Sequence, residues 1–183
     1  NRERANAMNY AGLADLLLEA ARRSSLTLPP PPPDFNELLL EARVQATRPY
    51  PCAVQLLRAL KAAGKVVVSV SGEDGIPGFK EKRVEASGLS RFLDKVVVVP
   101  LGDRSRVEAL LGIAKEYGVE PSEVLHIDDR REVAQQVAEA GFPVILVKQG
   151  MFTEGLAHPG VAEVESLCSI LEALGGERGP AQP

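Results

Sequence analysis

The apolar positions in the first quarter of the chain follow a helical spacing. Between residues 5 and 23 apolar side chains recur every three or four positions, which predicts an amphipathic helix. Five consecutive prolines at residues 29–33 end this pattern, because proline cannot continue a helix. Asp34 then precedes a second apolar stretch that ends near Thr47, which predicts a second helix. We therefore interpret residues 1–47 as a small helical unit.

From residue 48 onwards, short apolar runs rich in valine and isoleucine alternate with helical patterns. The predicted strands are residues 65–70, 95–99, 124–127 and 144–147, and the predicted helices are residues 52–63, 80–86, 105–117, 131–140 and 164–174. Such alternation is typical of a parallel sheet that is covered by helices on both faces. We expect an α/β core over residues 48–174 and a flexible polar tail over residues 175–183.

Polar side chains follow three of the predicted strands. They include Ser71 and Gly72, Arg104, and Asp128 and Asp129. Ligands of open parallel sheets bind at the carboxyl ends of the strands, so these residues are expected to share one rim. Adjacent carboxylates repel each other unless a cation or hydrogen-bond donors are near, and guanidinium groups bind phosphate. The pattern predicts a site for a divalent cation and a phosphate.

Each of these residues also has a purely structural interpretation. Ser71 and Gly72 suit a simple turn, and one aspartate suits the cap of the following helix. Arg130 and Arg131 are available to neutralise the acidic pair. His126 lies within a buried strand, where we expect a hydrogen-bonded core side chain rather than a catalyst.

Composition and charge exclude several classes of protein. The chain has 183 residues, is 45% hydrophobic and has a formal net charge of −4, which fits a single globular domain and argues against nucleic-acid binding. No apolar run approaches the ~20 residues of a membrane helix, and the first residues lack the apolar core of a signal peptide. We therefore expect a cytoplasmic protein, in which Cys52 and Cys168 are reduced and buried in helices.

The order of these motifs resembles the haloacid dehalogenase-like (HAD) phosphohydrolases over residues 48–150. The similar stretches read RPYPCAVQLLRALKAAGKVVVSVSGEDG, EASGLSRFLDKVVVV and GVEPSEVLHIDDRREVAQQVAEAGFPVILV. The resemblance implies a Rossmann-like sheet, a phosphoryl-binding role for Ser71, and Mg²⁺ ligands at Asp128 and Asp129. It also implies that residues 1–47 form a small cap.

Three positions depart from the family pattern. No Asp-x-Asp motif, which carries the nucleophile of the family, precedes the helical unit. Arg104 or Arg106 stands where the family has a lysine, and arginine does not replace the point charge of lysine. Val133, with Glu132 beside it, stands where an acid or amide often follows the aspartate pair.

The missing motif has a structural consequence. In the family, the nucleophile strand is central and lies between the strands that end at Ser71 and Asp128. Without it, several buried backbone groups would lack partners at a cost of about 1–3 kcal/mol each, which a domain of ordinary stability cannot sustain. We therefore expect another segment to fill the gap: an upstream segment, a strand of another chain, or a rearranged part of this one.

Two functions are compatible with these observations. The first is a Mg²⁺-dependent phosphatase that acts on a small phosphorylated metabolite once the nucleophile strand is restored. The second is an inactive HAD-like binding or assembly module. A two-component receiver fits less well because its acidic pair follows the first strand, and a dinucleotide-binding domain fits less well because Gly72, Gly75 and Gly78 give the wrong glycine spacing.

Overall fold

The structure, a computed structural model, describes residues 13–73, 76–100, 105–150 and 152–176. Arg104, the beginning of the first predicted helix and residues 177–183 of the predicted tail lie outside the described residues.

The described residues form a mixed α/β fold, as the sequence predicts. The helices are α1 (Leu13–Arg23), α2 (Phe35–Gln45), α3 (Ala53–Ala62), α4 (Phe79–Ala86), α5 (Ser105–Tyr117), α6 (Arg131–Glu139) and α7 (Leu167–Ala173). The strands are β1 (Val68–Gly72), β2 (Lys95–Val99), β3 (His126–Asp128), β4 (Val144–Val147) and β5 (Val161–Val164). Short 3-10 helices lie at Ser90–Phe92 and Pro121–Glu123.

The strands belong to two parallel sheets. Strand β1 pairs with β2, with Val68 opposite Lys95, and the second sheet has the order β3-β4-β5, with His126 opposite Val144. Within the described ranges, β1 and β3 do not pair with each other. The expectation that a place for one strand lies between them is therefore consistent with the observed pairing.

The core consists of one apolar layer on each face of the β3-β4-β5 sheet. One layer contains Leu110, Ala134, Val137, Phe142, Val144 and Leu146, and the other contains Leu56, Val147 and Ile170. Because successive side chains of a strand point to opposite faces, β4 contributes to both layers. This explains why its sequence is apolar throughout.

Several boundaries differ from the prediction. Strand β3 runs over His126–Asp128 rather than residues 124–127. Strand β1 begins at Val68 rather than at residue 65, because the Lys65 amide still bonds to Leu60 at the end of α3. Strand β5 (Val161–Val164) was not predicted, and the last helix begins only at Leu167. Ser166 caps that helix through its side-chain oxygen.

The prediction of two reduced cysteines is wrong, because Cys52 and Cys168 form a disulfide bond. Cys52 lies just before α3 in a left-handed backbone conformation rather than within the helix, and Cys168 is buried in α7. The two residues are 116 positions apart in sequence, but α3 and α7 cover the same face of the sheet, where Leu56 and Ile170 share one apolar layer.

The helical unit at the beginning of the chain contacts the core through α4. The Arg83 Nε atom donates a hydrogen bond to Thr47 Oγ1 at 3.3 Å, which links the end of α2 to α4. Asp34 occupies the N-cap position of α2, as predicted, but its side chain makes no capping hydrogen bond. Across the described parts of the chain, no helix has the length and apolar character needed to cross a bilayer.

Candidate functional site

Arg106 lies between the carboxyl ends of β1 and β3. It belongs to the first turn of α5, and its Nη1 atom donates to Asp128 Oδ2 at 2.7 Å. Its Nη2 atom lies 3.5 Å from the position that a Cβ atom on Gly72 would occupy. The structure thus brings together Gly72 and Asp128, which the sequence placed on a common rim, and Arg106, which the resemblance gave as one of two candidates for the family's lysine position.

Asp128 is buried and already has three hydrogen-bond donors. Besides Arg106, these are the Arg130 backbone amide at 2.8 Å and His126 Nε2 at 3.2 Å. Burial favours the neutral acid, but the His126 hydrogen bond and the Arg106 charge outweigh it, so the pKa of Asp128 is lowered. Asp128 is therefore ionised and neutralised by the protein, and His126 is the hydrogen-bonded core side chain that we expected.

Asp129 has a different environment from that of its neighbour. Burial and the adjacent Asp128 charge raise its pKa. Gly150 packs so closely that a Cβ atom there would lie 2.6 Å from Asp129 Oδ2. The Asp129 charge also contributes, after burial, to the raised pKa of the Tyr50 hydroxyl. The charged form of Asp129 is therefore less favoured than that of Asp128.

Ser71 and Gly72 are the last two residues of β1 and are half-buried. They lie opposite Val98 and Val99 of β2, and the Glu73 amide extends this pairing by donating to Val99 at 2.8 Å. Their position at the carboxyl end of the strand agrees with the sequence expectation.

Arg131 has a role that the sequence did not indicate. It is buried, and it donates to Thr153 O at 2.7 Å, to Leu156 O at 3.1 Å and to Glu163 Oε1 at 2.6 Å. It therefore organises the loop after β4 instead of neutralising the aspartate pair, as we had considered. The Arg130 guanidinium lies over the Phe152 ring, and its charge partly offsets the burial that raises the pKa of Asp129, whereas Asp128 pairs with Arg106.

The donor set is suited to Mg²⁺ in its chemistry. Mg²⁺ is bound in proteins by one or two carboxylates, with water and substrate phosphate completing its coordination. Asp129 and the adjacent Asp128 supply carboxylate oxygens of this kind. Among the described residues, no group of three acidic, histidine or cysteine side chains is close enough to hold a metal ion, so further ligands would come from elsewhere.

Parallel strands with a polar rim at their carboxyl ends define this chain as a Rossmann-like α/β protein. The model of the haloacid dehalogenase-like hydrolases matches residues 3–141, and the chain belongs to this family. Comparison with curated proteins found no match.

Several solved structures share the fold. An L-2-haloacid dehalogenase aligns with a TM-score of 0.66 and 22% identity, over 91% of this chain and 72% of that one. A predicted phosphoglycolate phosphatase from Haemophilus somnus aligns with a TM-score of 0.64 and 15% identity, over 90% and 75%. A heptose bisphosphate phosphatase from B. bronchiseptica, complexed with magnesium and phosphate, gives 0.58 and 20%, over 68% and 82%.

Proposed function

We propose that this chain is the main part of a Mg²⁺-dependent phosphatase for a small phosphorylated molecule, in which an added strand supplies the nucleophile. The observation that supports this function is the position of Arg106, beside Gly72 at the end of β1 and paired with Asp128 at the end of β3. A guanidinium beside two carboxylates can bind a phosphate and a cation at once.

Each residue of the rim would have its own role in binding and catalysis. Asp129, with Asp128 next to it, would hold Mg²⁺, which when bound neutralises phosphate charge. Ser71 and Gly72 would donate hydrogen bonds to phosphoryl oxygens, and Arg106, with Arg104 close in sequence, would stabilise their charge. An aspartate on the added strand would attack phosphorus in line, the bond from phosphorus to the substrate's alcohol oxygen would break, and that oxygen would take up a proton and leave. Water would then hydrolyse the aspartyl phosphate to inorganic phosphate and the free aspartate.

The helical unit and the net charge of the chain are relevant to the size and chemical class of the substrate. We propose that residues 1–47 form a cap beside the core of residues 48–174, and that this cap favours a small substrate. A net charge of −4 favours a small phosphorylated molecule over nucleic acid or an anionic membrane surface.

One observation favours the alternative of a binding or assembly module without activity. Asp128 is neutralised by Arg106 and His126 within the protein itself, so the buried charge is stable without a metal. In such a module, Arg106 would act as a structural ion-pair partner, and the rim would bind at most an anion.

The experiment is a hydrolysis assay with p-nitrophenyl phosphate, with and without Mg²⁺, of the purified chain joined to a strand that carries the nucleophilic aspartate. The chain without that strand should release no phosphate. We expect Mg²⁺-dependent release of phosphate that falls about 100-fold or more in Asp129→Asn. Glu132→Gln, which alters an exposed acid nearby, is the matched control and should keep full activity. A folded chain that releases no phosphate even with the added strand would favour the binding module. Chloride release from L-2-chloropropionate would instead indicate a dehalogenase.

The cytoplasmic location predicted from the sequence stays a prediction. The Cys52–Cys168 disulfide weighs against it, because disulfides persist mainly in oxidising compartments. Alkylation of free thiols in freshly lysed cells, followed by mass measurement, would show whether the bond exists there.

A further inference from the structure

We propose that the Cys52–Cys168 disulfide is a redox-sensitive restraint on the linker between the helical unit and the core, and that a dithiol reductant releases this restraint by attacking Cys52. The linker consists of residues 46–52, which lie between the end of α2 and the start of α3. The inference concerns the order of this linker and its effect on the rim, and it does not depend on phosphate hydrolysis.

The linker ends in a tight turn at residues 50–53. The Ala53 amide donates to Tyr50 O at 3.1 Å, and Cys52 has a φ of 64° and a ψ of −1°. Pro51 at the second position and a left-handed residue at the third define a type II turn. The third position of such a turn is usually glycine, because a side chain disfavours positive φ. Cys52 therefore has a backbone conformation that requires support from the surrounding structure.

The bond to Cys168 supplies such support. Cys168 is buried in α7, and α7 shares one apolar layer with α3 through Ile170 and Leu56. This layer fixes the position of Cys168 independently of the disulfide. Cys52 is instead half-buried and follows a linker whose residues are mostly exposed. The disulfide therefore holds the more mobile side, at Cys52, against a fixed point in the core.

The other end of the linker has its own attachment. Arg83 on α4 donates a hydrogen bond to the Thr47 hydroxyl at 3.3 Å, and the Thr47 amide donates to Val44 O at 3.1 Å. Neither contact involves the disulfide. Breaking the disulfide should therefore loosen residues 48–52, whereas Thr47 and the helices on either side should keep their positions.

The linker also lies close to the rim of the candidate site. Tyr50 is near enough to Asp129 for the charge of that carboxylate to contribute to the raised pKa of the Tyr50 hydroxyl. Asp129 is packed tightly against Gly150. A change in the position of Tyr50 would therefore alter the surroundings of Asp129, so that the redox state of the disulfide would reach the site.

The release is a thiol–disulfide exchange with a dithiol. A thiolate of the dithiol attacks the Cys52 sulfur, which is on the less buried residue, the S–S bond breaks, and the Cys168 sulfur leaves and takes up a proton. The second thiol of the reductant loses its proton and attacks the mixed disulfide, and the Cys52 sulfur leaves and takes up a proton. The chain gains two electrons and two protons, and the reductant becomes a cyclic disulfide.

The test measures backbone amide order parameters of the full chain by NMR relaxation, before and after treatment with dithiothreitol. We expect values of about 0.85 for Tyr50 and Cys52 in the oxidised protein and values below about 0.6 after reduction. Thr47 and Lys148 are the internal controls and should stay near about 0.85, because their amide hydrogen bonds do not involve the turn. The amide chemical shift of Asp129 should change on reduction.

Two double variants separate the backbone conformation from the bond itself. Cys52→Ser with Cys168→Ser lacks the bond and keeps a side chain at positive φ, so its linker should resemble that of the reduced protein. Cys52→Gly with Cys168→Ser also lacks the bond, but glycine adopts the turn without support, so Tyr50 should stay more ordered than in the serine pair. Neither variant should respond to dithiothreitol. Circular dichroism confirms that both variants are folded.

Four results would overturn the proposal. Free thiols in the purified, unreduced protein would mean that the restraint does not form, and unchanged order parameters after reduction would mean that it does not hold the linker. Equal disorder in the serine and glycine pairs would mean that the conformation of Cys52 has no part in it. An unchanged Asp129 shift would mean that the linker does not affect the site. If these tests succeed but the chain with the added strand releases no phosphate, only the proposed phosphatase is contradicted.

Discussion

The two sheets of this protein are similar in sequence character but differ in burial. In β4, which has a neighbour on each side, Val144, Leu146 and Val147 are buried. In β1, which has one strand neighbour among the described residues, all five residues are only half-buried, and Val96 of the adjacent β2 is exposed. A valine-rich strand is therefore buried only when neighbours cover both its edges and its faces.

The largest expected effect is a difference in stability loss between a variant of β4 and a variant of β1. Leu146→Ala removes a side chain with no solvent exposure and should lower the free energy of unfolding by about 2–5 kcal/mol. Val70→Ala removes two half-buried methyl groups and should cost about 1 kcal/mol. Urea unfolding curves of the two variants measure both values. Equal losses would mean that β1 is as well packed as β4.

The second prediction concerns the covalent connection between the sheets. The double variant Cys52→Ser with Cys168→Ser should lose about 2–4 kcal/mol, because the disulfide closes a long loop and restricts the unfolded chain. The loss is measured from unfolding midpoints with and without a reducing agent. Only the unmodified protein should respond to the reducing agent. A response of the double variant would show that the agent acts elsewhere.

The third prediction concerns the ion pair between Arg106 and Asp128. Asp128→Asn removes the carboxylate that pairs with Arg106 and is hydrogen-bonded to His126. This change should lower the free energy of unfolding by about 1–3 kcal/mol. In a double-mutant cycle with Arg106→Met, the two losses should not add, because both remove one interaction. Additive losses would mean that the ion pair contributes nothing.

The smallest expected effect concerns the ion pair between Arg131 and Glu163, which belongs to the part of the molecule around the β3-β4-β5 sheet. The hydrogen bond from Arg131 lowers the pKa of Glu163 below its usual value. The resulting stabilisation is present above the usual pKa of glutamate and is lost as the pH falls through the lowered pKa. Glu163→Gln should therefore be less stable than the unmodified chain at neutral pH and approach it near about pH 3. Unfolding midpoints at several pH values test this. A difference that persists in acid would contradict it.

The sequence was sufficient to predict the order of most elements, because periodicity and β-branched runs are local properties. It also predicted that one rim would collect Gly72 and Asp128, since carboxyl ends of parallel strands lie at one edge. For the arginine, strand ends indicated Arg104, and Arg106 came only from the family resemblance. Strand β5 was missed because only its two end residues, Val161 and Val164, are shielded from solvent. Its short pattern resembles the start of the following helix.

Other features depend on three-dimensional proximity and have no local signal. The Cys52–Cys168 bond spans 116 positions, and the expectation of reduced thiols came from an assumed compartment rather than from geometry. The choice of Arg106 over Arg130 and Arg131 as the partner of Asp128 depends on where α5 begins relative to β3. A buried arginine that holds two carbonyls of a loop and a carboxylate of β5, as Arg131 does, looks like any other arginine at the start of a helix.

The disulfide also decides how the chain would behave after proteolysis. A protease that cleaves once between Cys52 and Cys168 divides the backbone but not the molecule, because the two fragments stay covalently attached through sulfur. The nicked protein would migrate as one band on a non-reducing gel and as two bands after reduction. Limited digestion can therefore release a free fragment only by cutting outside this loop or by cutting twice within it.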